Sequence, residues 1–375
     1  MFNKNLESLR GVAALMVALG HCLIVLKVDG LDNIVYAGFS ELAGVQSAIT
    51  RFALIFFNGG AAVTVFFVLS GYVLGLSLDK HKVTLARTFS FYLKRVFRLY
   101  PAHIVSLSAT VASMILFHEY EIFEAASAWY VEWYRYDIEA SAFFNNLLLK
   151  DIYLNHIAWS LQVELAGSLF LPLAYVLCRR SGPWVNTAAL AALVALSWRV
   201  GVTNLFLFFL YAFYAGLMLP MIFNKLKDSL SGRSGSVLLL VGIGLLCFAR
   251  TLFDPRPGNM FSYVLLETAG SVLIIAYLLN TDNQGSVFSR FLSLDIVNRL
   301  GRVSYSFYLL HFIILYWLAN VLFHVISPQW LAAVPLLWGV GMALVTVPLT
   351  FWLSGKMYRF VEVPMVRAGK RIVRN

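Results

Sequence analysis

Charge is scarce in this sequence. Asp, Glu, Lys and Arg make up 13% of its 375 residues, against roughly 25% in a soluble domain. About half of an ordinary solvated surface is missing, which argues against a water-soluble protein. Cysteine is scarce as well. Cys22, Cys178 and Cys247 form no CxxC pair and no metal-ligand spacing, so neither a disulfide framework nor a metal centre follows, and each reads as a lipid-facing or core residue. Low-complexity stretches and internal repeats are absent. The apolar run from Gly11 to Val28 is long for a secretory h-region and lacks a small-x-small cleavage site. A histidine before Cys22 likewise excludes a lipoprotein signal. That run is expected to be a spanning helix.

Apolar residues, 60% of the chain, recur in segments almost from end to end. At ~150 residues per domain, length alone would suggest two or three domains; the apolar continuity instead predicts one membrane domain over 1–375. A spanning helix needs about 20 mostly apolar residues. Candidates are 11–28, 53–78, 96–117, 155–178, 185–200, 204–223, 235–252, 260–279, 303–325 and 332–354. The expected fold is all-α and polytopic, with about ten transmembrane helices.

With the N-terminus inside, cytoplasmic pieces hold 22 of the 29 Lys and Arg. That bias sets orientation and predicts both termini in the cytoplasm. The net charge of +10 is then a topology signal and a contact with anionic lipid. Spread over six separate pieces, it does not point to nucleic acid. One long outer loop, 118–154, gathers acids (Glu119, Glu121, Glu124, Glu132, Asp137, Glu139) and aromatics (Trp129, Tyr130, Trp133, Tyr134, Tyr136). It reads as a half-buried segment at the interface, either an aromatic belt or a platform on which sugars stack.

Ionisable groups inside hydrocarbon are costly, so each is a candidate functional residue. Arg10 and His21 are eleven residues apart, which sets them on one helical face about 16 Å apart. Arg10 is expected at the cytoplasmic mouth and His21 near the midplane. Glu164, nine residues into its segment, is expected ~13 Å deep from the opposite side. Such a pair could deprotonate a hydroxyl, the carboxylate orienting the imidazole; a structural hydrogen bond between helices is the alternative. Ser304, Tyr308 and His311 share a helical face. The Ser70-Gly71 pair permits close helix approach. Arg95 and Arg98, at i and i+3, make a fork suited to phosphate, although ordinary positive-inside residues would look the same. Glu267 is buried by depth and has no assigned role.

These residues stand in a series of short motifs. They are Leu9-Arg10-Gly11-x-Ala13 with His21, Gly60 through Phe66-Phe67-Val68-Leu69-Ser70-Gly71-Tyr72, Arg95-x-x-Arg98-x-x-Pro101, Trp159-Ser160-Leu161-x-x-Glu164, Ser304-Tyr305-x-x-Tyr308-x-x-His311 and Tyr358-x-x-x-Glu362-x-Pro364. Together, from residue 9 to 364, they resemble the acyltransferase-3 family of integral membrane acyltransferases. The resemblance implies transfer of an acyl group, usually acetyl, from cytoplasmic acyl-CoA to a carbohydrate hydroxyl. Family acceptors include O-antigen lipopolysaccharide, exopolysaccharide, enterobacterial common antigen and lipochito-oligosaccharide, and the usual site is the bacterial inner membrane. Carried over by position, His21 is the catalytic base with Arg10 its partner, and Arg95 and Arg98 meet the CoA phosphates. Acetyl-CoA is the expected co-substrate, with no metal. The chain is expected to be the stand-alone form, without a fused hydrolase-like domain.

Depth and chemistry together suggest acyl-CoA docked on Arg95, Arg98 and Arg10, His21 as base oriented by Glu164 or another acid, and Ser70, Tyr308 and His311 as donors to the oxyanion. A secondary transporter or flippase of lipid-linked saccharide is the rival reading, since it too would hold His and Glu at the midplane. It would also call for an inverted repeat and paired broken helices, which the sequence does not display. A non-catalytic membrane sensor would leave Arg10, His21 and Glu164 without a use.

Overall fold

The computed structural model describes residues 4–79, 84–117, 121–133 and 139–373. Glu119, Tyr134, Tyr136 and Asp137 of the aromatic, acidic loop lie outside the described residues. The first part of the chain forms α1 (Lys4–Leu23), α2 (Val45–Phe56), α3 (Gly59–Asp79), α4 (Leu85–Phe117), α5 (Ala128–Val131), α6 (Ala140–Leu147), α7 (Trp159–Arg180) and α8 (Pro183–Val200). The remainder forms α9 (Leu205–Leu226), α10 (Gly232–Leu252), α11 (Met260–Leu279), α12 (Val287–Leu292), α13 (Asp295–Val325), α14 (Pro328–Ala333), α15 (Pro335–Met357) and α16 (Val363–Ile372). Among the described residues there is no β-strand, only two isolated bridges. Among the described residues, ten helical segments are long and apolar enough to cross a membrane. The protein is an all-α, multi-pass membrane protein.

Among the boundaries that differ from the hydropathy reading, three bear on the site, each for a physical reason. α1 begins at Lys4 and ends at Leu23, where 11–28 was expected. Its polar first turns remain helical, with Ser8 Oγ donating to Asn298 Oδ1 at 3.2 Å. The apolar run Ile24-Val25-Leu26 leaves the helix and pairs, extended, with residues 125–127. His21 therefore sits in the last turn of α1 rather than mid-helix. The expected 53–78 helix is broken at Phe57-Asn58, separating α2 from α3. α4 runs 33 residues from Leu85, about 50 Å at 1.5 Å per residue, so the basic stretch before Pro101 is helix and not loop.

By contacts the chain divides into two compact units. The first comprises Met1–Ala13, Gly60–Arg95 and Gln162–Arg302; the second comprises Ala14–Gly59, Val96–Leu161 and Val303–Asn375. In the first, glycines set the helix spacing. A Cβ on Gly71 of α3 would lie 2.1 Å from the Phe213 carbonyl oxygen of α9, and one on Gly216 would lie 2.1 Å from the Val68 carbonyl oxygen. Only a residue without a side chain lets these backbones touch, the usual way membrane helices pack in the absence of a hydrophobic driving force. Phe67 packs on Phe209 and Phe213 with centroids 4.8 and 5.1 Å away.

In the second unit the chain after α1 is stitched to the start of α5. Ser127 Oγ donates to the Ile24 carbonyl at 2.6 Å, Ser127 N to Val25 O at 2.9 Å and Lys27 N to Ala125 O at 3.0 Å. A π-helical turn, Tyr358–Glu362, joins α15 to α16. Its Glu362 is buried and accepts a hydrogen bond from Ser306 of α13.

Candidate active site

His21 meets a second imidazole, 290 residues away in sequence. Its Nδ1 lies 3.0 Å from Nε2 of His311, and the rings stack with centroids 5.2 Å apart. The other nitrogen of His311, Nδ1, is 2.7 Å from the backbone carbonyl oxygen of Tyr308. A carbonyl only accepts, so this Nδ1 carries a hydrogen and donates it. In a neutral imidazole the remaining nitrogen then bears the lone pair. His311 Nε2 is thus an acceptor, and the hydrogen between the rings belongs to His21 Nδ1. By the same rule the lone pair of neutral His21 is on Nε2. Three partners in series leave one basic nitrogen, on the residue that retains some accessible surface: His21 is half-buried, while His311 is 0% exposed.

Aromatic rings surround this pair. Trp129 of α5 packs on His21 with centroids 4.9 Å apart, and Phe312 meets it edge-on at 6.5 Å. Trp133 lies against Trp129, Phe312 and, at 3.6 Å, His156. The described part of the aromatic loop is therefore packed against the histidine pair. Ser127 caps α5 by accepting from Tyr130 N at 3.2 Å, and Tyr130 stacks on Tyr316 of α13 at 4.9 Å. Trp133 was read only as one of the loop aromatics, in a belt or a sugar-stacking platform, and His156 had no role in the sequence reading. The one signal for His156 there was its proximity to the Trp159-Ser160 motif, which does not specify a direction.

The other predicted residues are held differently. Glu164 or another acid was expected to orient His21; the partner of His21 Nδ1 is His311. Glu164 Oε1 instead accepts from Arg95 at 2.5 Å and from Ser70 Oγ at 3.3 Å. Arg95 also donates from Nε to Ser168 Oγ at 3.1 Å, so its guanidinium, 8% exposed, is committed to α7. A phosphate would have to compete with a half-buried carboxylate for it. Arg98 lies half-buried one turn on, and Arg10 half-buried in α1. The Tyr308 hydroxyl is 2.9 Å from Ser160 Oγ and 3.3 Å from the Ile157 carbonyl oxygen, tying α13 to the start of α7. Ser304 is buried. Glu267 is 0% exposed and accepts from Thr64 at 3.3 Å. Among the described residues no group of three His, Cys, Asp or Glu converges as a metal site.

The Arg95–Glu164 pair has a testable consequence. Removing one member of a buried pair costs about 3–5 kcal/mol, whereas replacing both by apolar groups is often neutral. Arg95→Ala should lower the folded yield in detergent, and Arg95→Met with Glu164→Leu should restore most of it. Size-exclusion profiles and melting temperatures read this directly. An Arg95 serving only phosphate would leave the yield of the single variant unchanged.

The family model described as "Acyltransferase domain" matches residues 3–355. The chain is 26% identical over 353 residues to the acyltransferase MdmB of Streptomyces mycarofaciens, covering 84% of this chain and 82% of that protein. It is 24% identical over 371 residues to the O-acetyltransferase OatA of Staphylococcus aureus (strain NCTC 8325 / PS 47), covering 91% of this chain and 58% of that one. To the peptidoglycan O-acetyltransferase OatA of Listeria monocytogenes it is 25% identical over 349 residues, covering 83% and 52%. The chain thus spans little more than half the length of these two O-acetyltransferases. No solved structure matches significantly.

Proposed function

This chain belongs to the acyltransferase-3 family, and from that premise we propose that it transfers an acetyl group from cytoplasmic acetyl-CoA to a hydroxyl of an exported or cell-surface glycan. It does so as one integral domain of a bacterial inner membrane, with both termini in the cytoplasm. The observation that supports the reading is the hydrogen-bonded series Tyr308 O, His311, His21, which leaves the lone pair of a neutral His21 on Nε2, as a base requires. The acceptor hydroxyl gives its proton to this nitrogen while its oxygen attacks the thioester carbonyl carbon. The C–S bond then breaks, and the CoA thiolate takes the proton back from the imidazolium. His311 accepts from Nδ1 throughout, fixing the tautomer and ring position as the carboxylate does in a serine-protease triad. His311 acts here as an acceptor toward His21, not as an oxyanion donor.

We assign a donor phosphate to Arg98, and give Arg95 and Glu164 the task of holding α4 against α7, with Ser70 as a third member. Glycan acceptors agree with the Listeria relative, a peptidoglycan O-acetyltransferase.

Incubating the protein in nanodiscs with acetyl-labelled acetyl-CoA and cell-envelope glycan, taken from a strain lacking the gene, tests the proposal. Label should pass to the glycan in an O-linked, alkali-labile form. Absence of transfer, with movement of glycan across the bilayer instead, would contradict it and point to a flippase.

A further inference from the structure

Trp133 is 8% exposed, and its indole Nε1 is buried with no hydrogen-bond partner among the described residues. Buried donors are nearly always paired, so an orphan calls for an explanation. Its surroundings supply one. The ring belongs to the aromatic group around His21, with centroids 6.0 Å from Trp129 and 5.8 Å from Phe312. Trp129 in turn lies 4.9 Å from the base and is only partly buried. The segment is not slack, because Ser127, Lys27 and Ala128 bond it to the chain following α1.

The chemistry of these side chains narrows the ligand. An indole N–H donates and cannot accept, so it needs a ligand that brings an oxygen acceptor. Indole faces offer apolar contact without charge, which suits the C–H face of a pyranose ring and does nothing for a phosphate. A sugar provides both, as ring, glycosidic and hydroxyl oxygens on one side and an apolar face on another. The donor's phosphates are served by cations, and neither tryptophan supplies one.

Resting on the reading of His21 as the base, we propose that Trp129 and Trp133 form the acceptor subsite. Trp133 donates its indole N–H to an oxygen of the sugar being acylated, and Trp129 lies against the apolar face of that sugar beside the base. Both act as positioning and specificity residues.

The test separates the two substrates. In nanodiscs, KM for the cell-envelope glycan and KM for acetyl-CoA are measured for the wild type, Trp133→Phe, Trp129→Phe and Trp129→Ala, together with melting temperatures. Trp133→Phe removes the donor and keeps a ring. It should raise the glycan KM about tenfold, the effect of one neutral hydrogen bond lost from a buried site, with acetyl-CoA KM and melting temperature unchanged. Trp129→Phe should be milder than Trp129→Ala, which should raise the glycan KM at least as much. An unchanged glycan KM in Trp133→Phe and Trp129→Ala overturns the subsite. So does a parallel shift of both KM values and the melting temperature, which would mark a purely structural role. Failure of the His21 reading looks different: wild-type protein would then show no His21-dependent transfer at all, and the subsite would fall with it.

Discussion

Replacing His21 by Ala should cut transfer of acetyl to glycan on the order of 10³-fold, within the range for loss of a general base. The amount of membrane-inserted protein should stay the same. The size of the effect follows from what the ring does. A sugar hydroxyl is a weak nucleophile, and its attack on a thioester needs the proton removed as the C–O bond forms. His21 Nε2 is the nitrogen that its own partners leave unprotonated. The residue is half-buried, at the last turn of α1, so truncation leaves the helix framework in place. Labelled product on glycan, normalised to protein by fluorescence-detected size exclusion, measures it. Activity close to wild type would remove His21 from the chemistry.

His311→Ala should cost about 10²-fold in kcat, with little change in either KM. His311 touches no substrate in this scheme; it acts on the base. Its Nδ1–H is anchored on Tyr308 O at 2.7 Å, so its Nε2 can only accept, and His21 must keep its hydrogen on Nδ1. Without that acceptor the His21 ring is free to adopt the other tautomer, which puts the hydrogen on the nitrogen that should take the proton. The wrong tautomer is severely damaging even when geometry survives, as in serine proteases. His311→Gln offers an amide oxygen near the position of Nε2 and should recover part of the loss. A packing defect at this fully buried site would show otherwise, as a lower melting temperature in the Ala variant with no selective rescue by Gln.

Much of the fold was legible because bilayer thickness sets segment length, and apolar runs of about 20 residues announce themselves. Helix ends were less so. Ile24-Val25-Leu26 is as apolar as any helical turn, and only its pairing with residues 125–127 takes it out of α1. At the site, His21 and His311 stood out because an intramembrane imidazole is rare. Their union did not, since helical periodicity assigns a face to each residue but no partner across 290 positions of chain. Glu164 looked like the natural orienting acid, and Arg95 like a phosphate ligand, for the same reason. Both were judged by depth and charge, and their mutual pairing, 2.5 Å apart and largely buried, leaves no trace in spacing. The loop tryptophans read equally well as an interfacial belt, because composition cannot tell a ring facing lipid from one facing a histidine.

The most direct measurement is the transfer rate of the double variant His21→Ala/His311→Ala beside the two single variants. Residues that act as one unit are strongly non-additive. If His311 works only through His21, the double variant will be no slower than His21→Ala alone. A further hundredfold drop, the product of two independent losses, would mean that the two imidazoles act separately and that the relay does not exist.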